Sequence, residues 1–123
     1  MMKYMVVAAA LFAAPANAYI TKQGYRVDGN AERFTVEYEP GSSAAQYWCA
    51  AGLFIDNYLA MLPTTAIYRI SPRPLARGEG MTFSLSPEGA IGETGVAVFP
   101  PTDHLSAGFA ASLCTPRVIR DRN

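Results

Sequence analysis

The chain has 123 residues, with 10 Lys+Arg against 10 Asp+Glu, one His and two Cys. Half of the residues are hydrophobic and 16% are charged, which excludes a disordered chain and allows one domain with a modest core. The even charge balance excludes a general nucleic-acid binder, and one His with two Cys cannot fill a four-ligand zinc site without carboxylates.

Residues 1–18 read MMKYMVVAAALFAAPANA. Lys3 gives a positive start, residues 5–14 are an unbroken apolar run, and Ala16-Asn17-Ala18 supplies the small-x-small pattern that signal peptidase requires. The run is about half of the ~20 residues that a bilayer-spanning helix needs. The expectation is a signal peptide over 1–18, cut after Ala18, and a single exported domain over 19–123, periplasmic or secreted, with a polar C-terminal tail. No Cys follows the cut, so no lipid anchor and no stable membrane attachment are expected after cleavage.

Residues 24–27 can form a short strand, and Asp28-Gly29-Asn30 is a strong turn signal. Residues 34–39 alternate apolar and polar side chains, so the two segments predict a hairpin closed by Pro40-Gly41. The clearest helix follows. Ser43 and Gln46 match a capping box, and Ala44, Tyr47, Trp48, Ala51, Ile55, Tyr58, Leu59 and Leu62 share a broad face. With Pro63 as the stop, the helix is predicted over 43–62, ~30 Å long. Residues 66–70 predict a strand with Ile67 outside and Tyr68 and Ile70 on the other face. Residues 72–80 are a Pro- and Gly-rich loop. Met81, Phe83 and Leu85 then alternate with Thr82, Ser84 and Ser86 as an amphipathic strand. Gly89, Gly92 and Gly95 mark a turn region where glycine serves positive φ; the Lys-Ser/Thr ending of a phosphate loop is missing. A last short strand is expected over 95–99, then one or two helical turns within 105–113. The order ββαβββ predicts an α+β fold, a small antiparallel sheet of about five strands packed on one long helix.

Cys49 and Cys114 stand 65 residues apart. An even pair in an exported chain most simply forms one disulfide, worth roughly 4 kcal/mol in the loop-entropy picture. Cys49 falls on the helix edge, toward the polar side that holds Ser43, Gln46, Ala50, Asp56 and Asn57, so the bridge is expected to pin a C-terminal tail to the helix flank. A redox or nucleophilic thiol would need a Cys-x-x-Cys pair or a nearby base, and neither is present in the sequence.

Asp103-His104 is the only acid–His neighbour pair, with Ser106 two residues on. No Gly-x-Ser-x-Gly elbow supports a hydrolase, and His104 is expected in a solvated loop. Arg69, Arg73 and Arg77 cluster without an intervening acid around the Pro-rich loop, where a planar guanidinium suits carboxylate or phosphate; a solvated loop balanced by Glu79 is the plainer reading. A second cluster, Arg117, Arg120 and Arg122, is balanced by Asp121. Trp48 could wall a ligand pocket or fill the core. The candidate ligand-binding residues are therefore Trp48, Arg69, Arg73 and Arg77, with no catalytic set, no metal site and no cofactor expected.

The Tyr47-Trp48-Cys49-Ala50-Ala51 helix, the Ile67-Tyr68-Arg69 strand and the Phe83-Ser84-Leu85 strand together resemble small exported bacterial proteins of uncharacterised function. The resemblance implies export and an α+β fold and brings no activity. The functional expectation is a binding or interaction module with a protein or small-molecule partner, stapled by Cys49–Cys114. The alternatives are a small periplasmic hydrolase using His104 and a purely structural envelope protein.

Overall fold

The computed structural model describes residues 18–72, 78–98 and 101–114. The described chain runs β1 (Ala18–Ile20), β2 (Arg26–Gly29), β3 (Phe34–Val36), α1 (Ala44–Leu53) continued by a π-helical turn (Phe54–Tyr58), β4 (Ala66–Arg69), β5 (Met81–Ser84), β6 (His104–Ser106) and α2 (Ala107–Ser112). All six strands join one antiparallel sheet in the order β1-β2-β3-β5-β4-β6. The α+β class with an antiparallel sheet holds. The strand count and the single long helix do not, because the sheet has six strands and a second helix packs on the first.

The hairpin forms slightly later than its turn signal suggests. Asp28 and Gly29 belong to β2, pairing with Thr35 and Phe34, and the reversal is made at Asn30. There the Asn30 side-chain oxygen accepts from the N–H groups of Glu32 and Arg33 while its own N–H donates to the Arg33 carbonyl. Gly29 has φ 134°, and a Cβ there would lie 2.4 Å from the Arg33 carbonyl oxygen. Glycine is needed at that position by both conformation and space.

Ser43 caps α1, and the Gln46 side-chain oxygen accepts from the Ser43 N–H at 2.9 Å, the reciprocal arm of the expected box. The helix does not run regularly to Leu62. From Phe54 it widens into a π-helical turn and ends where Ala60 adopts φ 55°, the sole non-glycine residue with positive φ among those described. The Leu59 N–H reaches back to Phe54 O and the Met61 N–H to Ile55 O, so two carbonyls of the widened turn are satisfied before Pro63 is reached.

Inward side chains of the sheet meet α1 in an aromatic stack. Phe34 lies against Phe54 (4.8 Å between ring centroids) and Phe83 (5.6 Å), and Trp48 meets Phe83 edge-on at 4.7 Å. Val27, Val36, Ile67 and Met81 complete this layer. Ile67 was expected outside. Instead β4 turns Ile67 and Arg69 inward and leaves Tyr68 half-buried, since the pairing with β5 and β6 sets the register for the whole strand.

The other side of α1 is also covered. Residues 47–52 are all buried, including Cys49 and Ala50, which the helical pattern places toward the polar side. The cover is α2. A Cβ on Gly52 would lie 2.5 Å from the Ala111 nitrogen and 2.8 Å from the Ala107 carbonyl oxygen, so the two helices touch backbone to backbone. The Cys49–Cys114 disulfide closes this contact, with its Cα atoms 4.9 Å apart. The bridge thus ties the half-buried turn after α2 to a buried position of α1, rather than pinning a tail to the helix flank. Residues 104–106, expected in a loop and at the start of a helical segment, form edge strand β6 because β4 offers them a ladder. The strand expected over 95–99 does not form at its described residues, 95–98.

Candidate functional site

Two of the sequence-derived candidates meet at one backbone atom. Trp48, held on α1 by the aromatic stack, donates its indole N–H to the Thr94 carbonyl at 2.9 Å. Arg69, at the end of β4, donates to the same carbonyl from Nη1 at 3.2 Å. Its other nitrogens reach Ser71 O (2.8 Å from Nε) and Pro72 O (3.2 Å from Nη2). Both side chains are buried, Trp48 at 0% and Arg69 at 2% exposure. A guanidinium is acceptable there because its planar fork meets several acceptors at once. Arg69 thus ties the end of β4, the loop after it and the 93–98 segment to the core. Arg73 and Arg77 lie outside the described residues.

Thr94 is itself buried, and its hydroxyl closes a local turn, donating to Val96 O and accepting from the Val96 N–H. Gly92 and Gly95, both at φ 85°, bend the chain on either side of it. At this anchored residue opens a cleft of about 430 Å³, lined by Glu93, Thr94, Val96, Ala97 and Val98 together with Pro101 and Thr102. The Thr102 hydroxyl oxygen accepts from the His104 N–H at 3.4 Å, linking this wall to β6. The lining combines Glu93 and two threonines with small aliphatic side chains. Such a surface holds a small ligand or a peptide segment by shape, with a few directed hydrogen bonds. A second cleft, about 540 Å³, lies between the β2–β3 turn and the segment after β5, lined by Arg33, Ser84, Ser86 and Glu88 among others.

His104 is half-exposed on β6. Its Nδ1 lies 2.7 Å from Asp103 Oδ1, and its ring stands 5.1 Å from that of Tyr68, its neighbour in the ladder. Ser106, on the same strand, has its oxygen engaged as the N-cap of α2, accepting from the Phe109 N–H. No hydroxyl or thiol among the described residues hydrogen-bonds the second ring nitrogen. The described residues also hold no group of three or more His, Cys, Asp and Glu side chains placed to hold a metal ion.

A third polar constellation, which sequence reading missed, sits on the outer sheet face. Arg26 Nε lies 3.2 Å from Glu37 Oε2 and 3.6 Å from Asp28 Oδ1. Protonated Glu37 can donate a hydrogen bond to the Asp28 carboxylate, and this, slight burial and the Asp28 charge hold the Glu37 carboxyl above its ordinary value, while Arg26 opposes them. Period-two alternation in β2 was the available signal, since it puts Arg26 and Asp28 on one face. Thr94 offered less, its only sequence signal being the glycines at positions 92 and 95.

No family model, curated protein or solved structure matches the chain. No helix among the described residues is long and apolar enough to cross a membrane.

Proposed function

We propose that the protein is a small exported binding module, held rigid by Cys49–Cys114, that presents the Thr94–Thr102 cleft to a small-molecule or peptide partner. The observation that carries this reading is the anchoring of the cleft. Its floor residue is fixed from below by two buried donors, one from the central helix and one from the sheet. A preformed concavity of a few hundred Å³ backed by a rigid core suits ligand capture with little ordering cost. The disulfide supports an oxidising compartment, in keeping with the signal pattern over 1–18.

The test is native mass spectrometry of the protein exported by its own signal, alongside Ala97→Arg, which fills the cleft from its exposed side without touching Thr94. The expected result is a retained mass on the wild type that is absent from the variant. Bare protein in both samples would overturn stable capture at this cleft.

A second reading, a hydrolase working through His104, draws on the Asp103 contact, which fixes the ring as an orienting carboxylate does in acyl-transfer sites. It needs a nucleophile brought to the free side of the ring by the substrate complex. Loss of ester or amide hydrolysis in His104→Ala, with the fold unchanged, is the outcome that would favour it.

A further inference from the structure

Asp28 on β2 carries an unresolved charge problem. Its side chain is 39% exposed, but Oδ1 itself is buried and has no hydrogen-bond partner; Arg26 Nε, 3.6 Å away, is beyond hydrogen-bond range. A buried carboxylate oxygen without a donor is costly, and a native fold ordinarily supplies one.

The register of β1 shows where the donor would come from. Ala18 pairs with Asp28 and Tyr19 with Val27. The Thr21 N–H donates to Tyr25 O at 2.9 Å, so 21 and 25 form a hydrogen-bonded pair, and alternation makes 19↔27 hydrogen-bonded and 18↔28 non-hydrogen-bonded. In non-hydrogen-bonded pairs the two Cα atoms approach to about 4.5 Å, with side chains close together on one face. Ala18 therefore lies opposite Asp28, its side chain on the same face of the sheet. It is also the residue after which the Ala16-Asn17-Ala18 pattern is expected to be cut.

We infer that removal of residues 1–18 creates, at the Tyr19 nitrogen, an ammonium that completes the Arg26–Asp28–Glu37 cluster and clamps the edge strand β1 to the sheet. This rests on the export reading given above. Hydrolysis of the Ala18–Tyr19 peptide bond adds one water, giving Ala18 a carboxylate that leaves with the signal and Tyr19 an α-amine that takes a proton. The changes act together. Loss of Ala18 removes the residue paired with Asp28, and the amide that donated one N–H becomes an ammonium with three. One proton can keep the bond to the Val27 carbonyl while another turns toward Asp28. The charged groups in contact with Asp28 are Arg26 on its own strand and Glu37 beyond β3; its register partners, Ala18 on β1 and Thr35 on β3, are uncharged. Two carboxylates facing a single guanidinium leave room for a second cation. Charge assistance makes an ammonium–carboxylate bond stronger than a hydrogen bond between neutral groups.

The test uses the protein exported by its own signal. Intact mass first establishes the N-terminus, and competitive labelling near pH 8, about the ordinary α-amine value, then reads the Tyr19 amine. The expected result is a chain beginning at Tyr19, its amine reacting about threefold more slowly than in Asp28→Asn, as an exposed ion pair allows. Glu37→Gln should move the rate in the same direction by less. A chain beginning elsewhere would overturn both the processing and the clamp. A chain beginning at Tyr19 with equal reactivity in wild type and Asp28→Asn would overturn the clamp alone.

Discussion

The helix pair and the outer face of the sheet solve opposite problems with the same small chain. On the helix side, α1 is buried by the sheet and by α2, backbones touch at Gly52, and a covalent bond closes the contact. On the outer face, where β2 and β3 meet β5, the contacts are hydrogen bonds and ion pairs such as Thr35–Thr82 and Arg26–Glu37. The difference shows where stability resides. Burial and the disulfide hold the first region whatever the pH or salt, whereas the second responds to both because its charges are screened and titrate.

The largest expected effect comes from removing the covalent half of the helix contact. Replacing Cys49 and Cys114 together by Ser should cost about 4 kcal/mol, roughly 20 °C in Tm for a domain of this size, by releasing the loop constraint on the unfolded chain. Thermal unfolding with and without reductant checks it. Wild type in reductant should fall to the level of the variant, and equal stability of all four samples would mean that packing alone holds α2. Gly52→Ala tests that packing directly. The new methyl meets backbone atoms that cannot rotate away, so a loss of about 1–3 kcal/mol is expected with the disulfide still formed. Denaturant unfolding in non-reducing buffer is the measurement.

The smallest effect belongs to the outer face, and its sign follows from the carboxyl pair. In a chain that still carries Ala18, Glu37 binds its proton more tightly folded than unfolded. Its contribution to stability is therefore full at low pH and declines as pH rises past the ordinary carboxylate range. Glu37→Gln should remove that decline, giving a slightly higher Tm at neutral pH and no difference in acid. A scan of Tm against pH for both proteins decides it. In a chain beginning at Tyr19 the added cation should shrink the difference, which ties this measurement to the proposed clamp.

Local patterns were the legible part of the fold. The cap at Ser43, alternation in residues 34–36 and 81–83, and the pairing of two cysteines each depend on near neighbours or on simple counting, and the structure contains all of them, although Ser84, expected on the wetted face, is buried. What escaped depends on partners distant in sequence. Cys49 and Ala50 looked like a polar flank because the helix that buries them begins at Ala107. Residues 104–106 carry no strong strand signal and are recruited by the free edge of β4. The reverse occurs at residues 95–98, whose Gly-Val-Ala-Val run favours a strand yet forms none at its described positions. At the candidate site, Trp48 and Arg69 could be picked out by type. Their convergence on a backbone carbonyl could not, because a main-chain acceptor leaves no mark in the amino-acid code.

That convergence has a spectroscopic consequence. Trp48 is the only tryptophan in the chain, and its indole N–H sits one hydrogen bond below the floor of the cleft. All tryptophan emission therefore comes from a single buried ring whose polar end is bonded to the segment that would greet a ligand. Any occupant that tugs on Thr94 would change the colour of that emission, so the molecule carries its own optical gauge of occupancy and needs no added label.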